Sequence, residues 1–165
     1  MTGATEFQIV DYSARYGAAF ERLNVEWLEK YFRVEPIDRK ILGDPDTAII
    51  RQGGAILYAL CGDEVVGTVA LKHQGSNVFE LTKMAVTAAC QGKGLGRQLL
   101  GAAIRRFAEM HGKTLYLESH SSLAPAIHLY ESAGFHHEEP PRPSEYERAD
   151  VYMVYRKPQA ASPEM

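Results

Sequence analysis

The feature that most constrains this chain is Gln91-Gly92-Lys93-Gly94-Leu95-Gly96, three glycines at alternate positions directly ahead of an amphipathic run. Behind the glycines, Leu95, Leu99, Ala103, Phe107 and Met110 recur at helical spacing, with Gly112 placed to end the helix. Ahead of them stand three apolar runs, AILYALC, VVGTVALKH and VFELTKMAV, the first two separated by Gly62-Asp63-Glu64. Short β-branched and apolar runs divided by a polar turn read as an antiparallel meander ending at Val86. Glycines let the backbone approach a ligand closely and leave N–H groups directed into one concavity. The start of a helix adds partial positive charge there, so a phosphate or pyrophosphate suits the loop. The alternative is a tight strand-to-helix turn and nothing more. Two familiar phosphate motifs are excluded. A P-loop needs a glycine five residues before the Gly-Lys pair and then Ser or Thr, whereas the dinucleotide fingerprint needs GxGxxG and this loop reads GxGxG.

The flanking segments complete a mixed α/β pattern. FQIVDY reads as a strand from Phe7 to about Val10, after which Ser13 is placed to cap a helix. Tyr16, Phe20, Leu23, Trp27 and Tyr31 follow at steps of three and four and predict one apolar helix face. A second helix is expected around Ile37–Leu42, then TLYLE as a strand, PAIHLYESA as a helix ended by Gly134, and VYMVYRK as a last strand. The expected architecture is a mixed, largely antiparallel central sheet flanked by helices, an α/β (α+β) arrangement. One domain is expected over residues 1–158, with a polar tail at 159–165.

Composition narrows the classes further. With 45% hydrophobic and 24% charged residues the chain has the make-up of a globular protein. The net charge of -3 and the absence of a Lys/Arg run argue against nucleic acid as a partner. No apolar stretch is long enough to span a bilayer. MTGATEFQIVD has acids where a signal peptide would carry basic residues, so the expected location is cytoplasmic. Cys61 and Cys90 are too few for a disulfide framework, and the six histidines lack ligand spacing, so no metal site is expected.

The loop fits Q/R-x-x-G-x-G/A, and Ala126-Ile127-His128-Leu129-Tyr130-Glu131-Ser132-Ala133-Gly134-Phe135 carries an LYExxGF pattern. Together with the element order, these segments resemble the GNAT superfamily of N-acetyltransferases. The resemblance covers most of the chain and is weakest over the first fifty residues and the last twenty-five. It implies acetyl-CoA as cosubstrate and transfer to an amine by direct attack, with no covalent enzyme intermediate. Main-chain groups of Met84, Ala85 and Val86 are then expected along the pantetheine arm. The N–H groups of Gln91, Gly92, Lys93, Gly94, Leu95 and Gly96, with Arg97 starting the helix, are expected at the pyrophosphate. Tyr130 becomes the proton donor to the leaving thiolate, and Glu80, six residues before Val86, the general base.

The chemistry asks for such groups. An alkyl ammonium with pKa near 10 must lose its proton before attack, and a carboxylate raised towards neutrality by a partly apolar site can take it. Glu80 lies between Phe79 and Leu81 on a strand; the plainer reading of it is a solvent-facing or ion-paired glutamate. Glu118, His120 or a water chain are rivals for the role. Many relatives carry Asn seven residues before the motif tyrosine, where this chain has Leu123, with Ser119, His120, Ser121 and Ser122 as polar substitutes nearby. For the acceptor, the resemblance points to Trp27, Glu29, Tyr31, Phe32, Glu35, Asp38, Glu145, Tyr146 and Arg148. Acids there could attract an amine and Arg148 could hold a carboxylate, which together would suit an amino-acid-like acceptor. The plainer reading, favoured for most of these residues singly, is a solvated charged face. A homodimer is also implied. Two other classes remain open: a catalytically silent CoA-binding regulatory or interaction module, and a protein that uses the glycine loop for ATP.

Overall fold

The computed structural model describes residues 6–157. In chain order it contains β1 (Gln8–Asp11), α1 (Gly17–Tyr31), α2 (Pro36–Gly43), β2 (Ala55–Cys61), β3 (Glu64–His73), β4 (Val78–Val86), α3 (Leu95–Glu109), β5 (Thr114–Ser119), α4 (Ala124–Ala133), β6 (Phe135–His137) and β7 (Val151–Tyr155). The seven strands form one sheet in the order β1-β2-β3-β4-β5-β7-β6. Every neighbouring pair is antiparallel except β4 and β5. The mixed, largely antiparallel sheet expected from the sequence is therefore present. The tail expected at 159–165 lies outside the described residues.

Alternation along the strands divides the core between the two faces of the sheet. Leu57, Ala59, Leu71, Phe79, Leu81, Leu115 and Leu117 pack with Leu95, Leu99, Ala103 and Phe107 of α3. Ile56, Tyr58, Leu60 and Ala70 pack on the other face with Phe20, Leu23 and Leu28 of α1 and with Ile41 and Leu42 of α2.

Several local expectations need correction. Ser13 precedes a short 3₁₀ turn, Ala14–Tyr16, and its side chain makes no capping hydrogen bond. In α1 the buried face turns through Phe20, Leu23, Asn24 and Leu28, while Tyr31 is 44% exposed, because the helix ends there. The left-handed residue closing α3 is His111 (φ 57°), not Gly112. Gly112 instead donates its N–H back to the Phe107 carbonyl at 3.0 Å, the outer bond of a Schellman-type closure. A single turn at Asp46–Ile50 and the short strand β6 were not expected as elements.

Two irregularities set β4 apart from the other strands. Its parallel pairing with β5 runs only from Val78↔Thr114 to Glu80↔Tyr116. Beyond that point β4 continues to Val86 and β5 to Ser119, with no ladder between them. On the β3 side the register steps from Thr68↔Ala85 to Ala70↔Thr82, so β4 carries one extra residue. That bulge holds Lys83 at φ 53°, a left-handed conformation uncommon for a side chain of this kind.

Candidate active site

Where β4 and β5 part, the sheet has a gap, and a small cavity of about 90 Å³ opens there. Leu81, Thr82, Lys83 and Met84 line it from β4, and Leu117, Glu118 and Ser119 from β5. Asn24, Trp27, Leu28 and Phe32 close it on the α1 side, and Tyr130 of α4 reaches it from the opposite face. Glu80, the last β4 residue paired with β5, stands at the apex. The structure thus brings together Glu80, Tyr130, Met84 and Ser119, residues spread over 51 positions of sequence.

Glu80 is 5% exposed. Burial, and secondarily the neighbouring Glu118 carboxylate, pushes its pKa from the ordinary 4.5 up to about 7. Across pH 4.5–7 the unfolded chain would ionise this glutamate first, so the buried carboxyl loses the fold stability as pH rises through that window. Its rivals, like Glu80 itself, carry hydrogen bonds of their own. Glu118 accepts a hydrogen bond from the Ser144 hydroxyl. His120 Nδ1 lies 2.7 Å from the Ser122 hydroxyl and accepts the Ser122 N–H at 3.0 Å. Ser121 is also occupied, donating its N–H and hydroxyl to Asp150 at 2.7 Å each. Of the four polar residues ahead of Leu123, only Ser119 and His120 border the cavity. Tyr130 is partly buried, with its ring edge-on to Phe135 at 6.1 Å, and burial pushes its phenol up to about 12.

The glycine loop stands exposed at the end of β4, with Gly92 (φ 81°) and Gly94 (φ 80°) both left-handed and open space where a Cβ would be. The first α3 hydrogen bond runs from Gln98 N–H to the Gly94 carbonyl, leaving the N–H groups of Leu95, Gly96 and Arg97 outside the helix ladder. Gln91 Nε2 donates to the Val86 carbonyl at 3.2 Å and ties the loop to the strand end. Arg97 reaches the Ser132 hydroxyl at 3.4 Å. An extended group with an anionic end fits this surface: the unladdered edge of β4 beyond Glu80 can pair with an amide-bearing arm, and the loop N–H groups can face a pyrophosphate.

A buried charge cluster walls the α1–α2 side, and only part of it was legible beforehand. Lys83 Nζ donates to Asp38 Oδ1 at 2.6 Å and to the Tyr146 hydroxyl at 3.3 Å. Arg148 grips Asp38 with both Nη atoms (2.7 and 2.8 Å) and Glu35 with Nη1 (2.9 Å). Glu35 also accepts the Glu147 N–H at 2.9 Å. For Asp38, burial alone would raise the pKa, but the Arg148 hydrogen bonds and the Lys83 charge together bring it down to about 2. Glu35, Asp38 and Arg148 therefore bind one another and are not the separate amine and carboxylate anchors expected from sequence. Lys83 was missed altogether. Simple alternation places it on the α3 face with Phe79 and Leu81; the bulge turns it through the sheet. Among the described residues no cluster of three or more His, Cys, Asp or Glu side chains is arranged to hold a metal, and no helix is long and apolar enough to cross a membrane.

The chain is similar to known proteins. The chain is 41% identical over 71 residues to the uncharacterized N-acetyltransferase YjgM of Escherichia coli K12, covering 43% of this chain and 42% of that protein. It is 34% identical over 87 residues to N-acetylaspartate synthetase of Rattus norvegicus, covering 52% of this chain and 29% of that one. It thus spans less than half the length of both relatives. The solved structure of YncA from Salmonella typhimurium, with its cofactor acetyl-CoA, superimposes with a TM-score of 0.73 at 21% identity over 96% of this chain and 98% of that one. The profile of the acetyltransferase (GNAT) family matches residues 18–135, a span that holds Glu80, the glycine loop and Tyr130, and the chain belongs to that family.

Proposed function

We propose that this protein is an acetyl-CoA-dependent N-acetyltransferase that moves the acetyl group to a primary amine by direct attack in a ternary complex. One observation carries the reading: Glu80 and Tyr130 meet in one cavity from opposite faces of the sheet, at the point where the sheet splits. Acetyl-CoA supplies an acyl thioester when bound. Main-chain groups of Met84, Ala85 and Val86 hold its pantetheine arm along the free edge of β4. N–H groups of Gln91 to Gly96 hold the pyrophosphate, with Arg97 and Ser119 alongside. The amine enters from the α1–α2 face. There the Glu80 carboxylate, titrating near neutrality, takes the ammonium proton directly or through a water. From the α4 face the Tyr130 hydroxyl donates a hydrogen bond to the departing sulfur, and the surplus proton on the newly acylated nitrogen passes to the thiolate or to water. Cys61 and Cys90 are free, in keeping with a reducing cytoplasm, and Cys90 is buried and plays no nucleophilic part. A single domain over residues 1–158 and a homodimer complete the reading.

The test is thiol release from acetyl-CoA with polyamines, amino acids, aminoglycosides and lysine peptides as acceptors. Acceptor-dependent release with at least one class is the expected result. Acetyl-CoA binding without release in any class would instead identify a CoA-binding module. A larger thermal shift with ATP than with CoA would point to a nucleotide-binding protein.

A further inference from the structure

We infer that Gln74, braced by Lys72, is a positioning residue for Glu80 that orients its carboxylate and favours its ionised form. The inference rests on the proposed role of Glu80 as base. Gln74 lies one residue beyond the end of β3, where its N–H donates to the Val78 carbonyl at 2.8 Å and fixes the backbone at the hairpin. Its Nε2 donates to Glu80 Oε1 at 3.2 Å. Among the described residues, no other side chain is hydrogen-bonded to that carboxylate. Lys72 lies directly opposite Glu80 in the β3–β4 register, and its Nζ donates to Gln74 Oε1 at 3.5 Å. A lysine ammonium can only donate, so it holds the amide oxygen towards itself and turns the NH₂ group towards Glu80. The lysine thereby selects the one amide orientation that supports a carboxylate.

The groups facing Glu80 make this contact consequential. Lys72 comes from β3, Lys83 from β4, Tyr116 and Glu118 from β5, and Tyr146 and Arg148 from the segment before β7. From α1 and its end come the uncharged Asn24, Trp27, Leu28 and Phe32, while His120 after β5 and Tyr130 of α4 line the same cavity. Burial and Glu118 oppose ionisation of Glu80, while the Lys83 and Lys72 charges and, after them, the Gln74 hydrogen bond favour it. Of these three only Gln74 touches the carboxylate as a hydrogen-bond donor. Gln74 and Lys72 also line a separate, open groove of about 870 Å³ with Ile37, Lys40 and Gln52. The Gln74 side chain thus stands between outside water and the buried carboxylate.

The test uses Gln74→Met, which keeps the gap filled but removes the donor. The readouts are the ¹³C titration of the Glu80 carboxyl and the pH profile of kcat/KM for the acceptor. A hydrogen bond to a charged group is worth enough to move a pKa by about one unit. The Glu80 titration should therefore rise by about one unit, with kcat/KM about tenfold lower below the limb and a high-pH plateau within about twofold of wild type. Gln74→Leu, which also lacks the donor, serves as the test if Gln74→Met does not fold. Lys72→Met should move both readouts the same way by at least as much, because the Lys72 charge itself favours the carboxylate. An unchanged Glu80 titration in the folded variant overturns the inference. A raised titration with an unmoved pH–rate limb upholds the Gln74 contact and overturns Glu80 as base.

Discussion

Tyr130→Phe is expected to lower kcat by about 10²–10⁴-fold, the range for a positioned proton donor, while acetyl-CoA affinity stays within about twofold. The substitution removes one oxygen and keeps the ring that packs against Phe135. The physical chemistry places the effect towards the low end. With its phenol pushed up by burial to about 12, Tyr130 is a weak acid, so full proton transfer before the sulfur departs is uphill. The hydroxyl therefore acts mainly by donating a hydrogen bond that strengthens as negative charge gathers on sulfur, which is interaction made in the transition state alone. Steady-state kinetics with a parallel calorimetric titration of acetyl-CoA separates the two quantities. A folded Tyr130→Phe protein with kcat within about threefold of wild type would remove Tyr130 from the chemistry.

The second large effect is on stability. Asp38→Ala should cost about 3–5 kcal/mol in urea unfolding at pH 7, because it leaves Lys83 and Arg148 buried with only Glu35 to answer two positive charges. Part of that cost is avoided if Lys83, whose pKa burial already lowers, gives up its proton in the variant. The pH dependence follows from the depressed carboxyl. With a native pKa of about 2 against an ordinary 3.8, Asp38 stabilises the fold fully above pH 3.8 and loses that contribution as pH falls through 2. Adding Lys83→Met to Asp38→Ala should recover much of the loss, since the double variant buries one charge fewer. A loss below about 1 kcal/mol in the single variant would mean that the cluster is not the tie between α2, β4 and the segment before β7 that its geometry indicates.

The two structural expectations that held best rest on strong local signals. The meander was readable because its runs are apolar, β-branched and separated by turn residues, and β4 occurs over the very span VFELTKMAV. The glycine loop was readable because left-handed Gly92 and Gly94 are positions that few other residues accept. The charge cluster was not readable for a different reason. Glu35, Asp38, Lys83 and Arg148 are separated by up to 113 positions, and nothing local says that they neutralise one another. The bulge adds to this. A single extra residue in β4 reverses the side on which Lys83 lies, and period-two reasoning carries no mark of the reversal. The early end of β4–β5 pairing is equally silent in sequence, although it creates the cavity in which Glu80 and Tyr130 meet. Even so, the two residues named from the family resemblance stand at that gap.

The most direct measurement is the pH profile of kcat/KM for the acceptor at saturating acetyl-CoA, in wild type and in Glu80→Gln. Glu80 must be ionised to accept the ammonium proton, so the wild-type rate should rise with pH through a limb near 7, where burial and Glu118 place its pKa. In Glu80→Gln that limb should vanish, leaving a rate that is lower at neutral pH and climbs with the fraction of free amine. Glu80→Gln retaining the wild-type limb at the same pH would contradict the assignment and make this glutamate a structural residue.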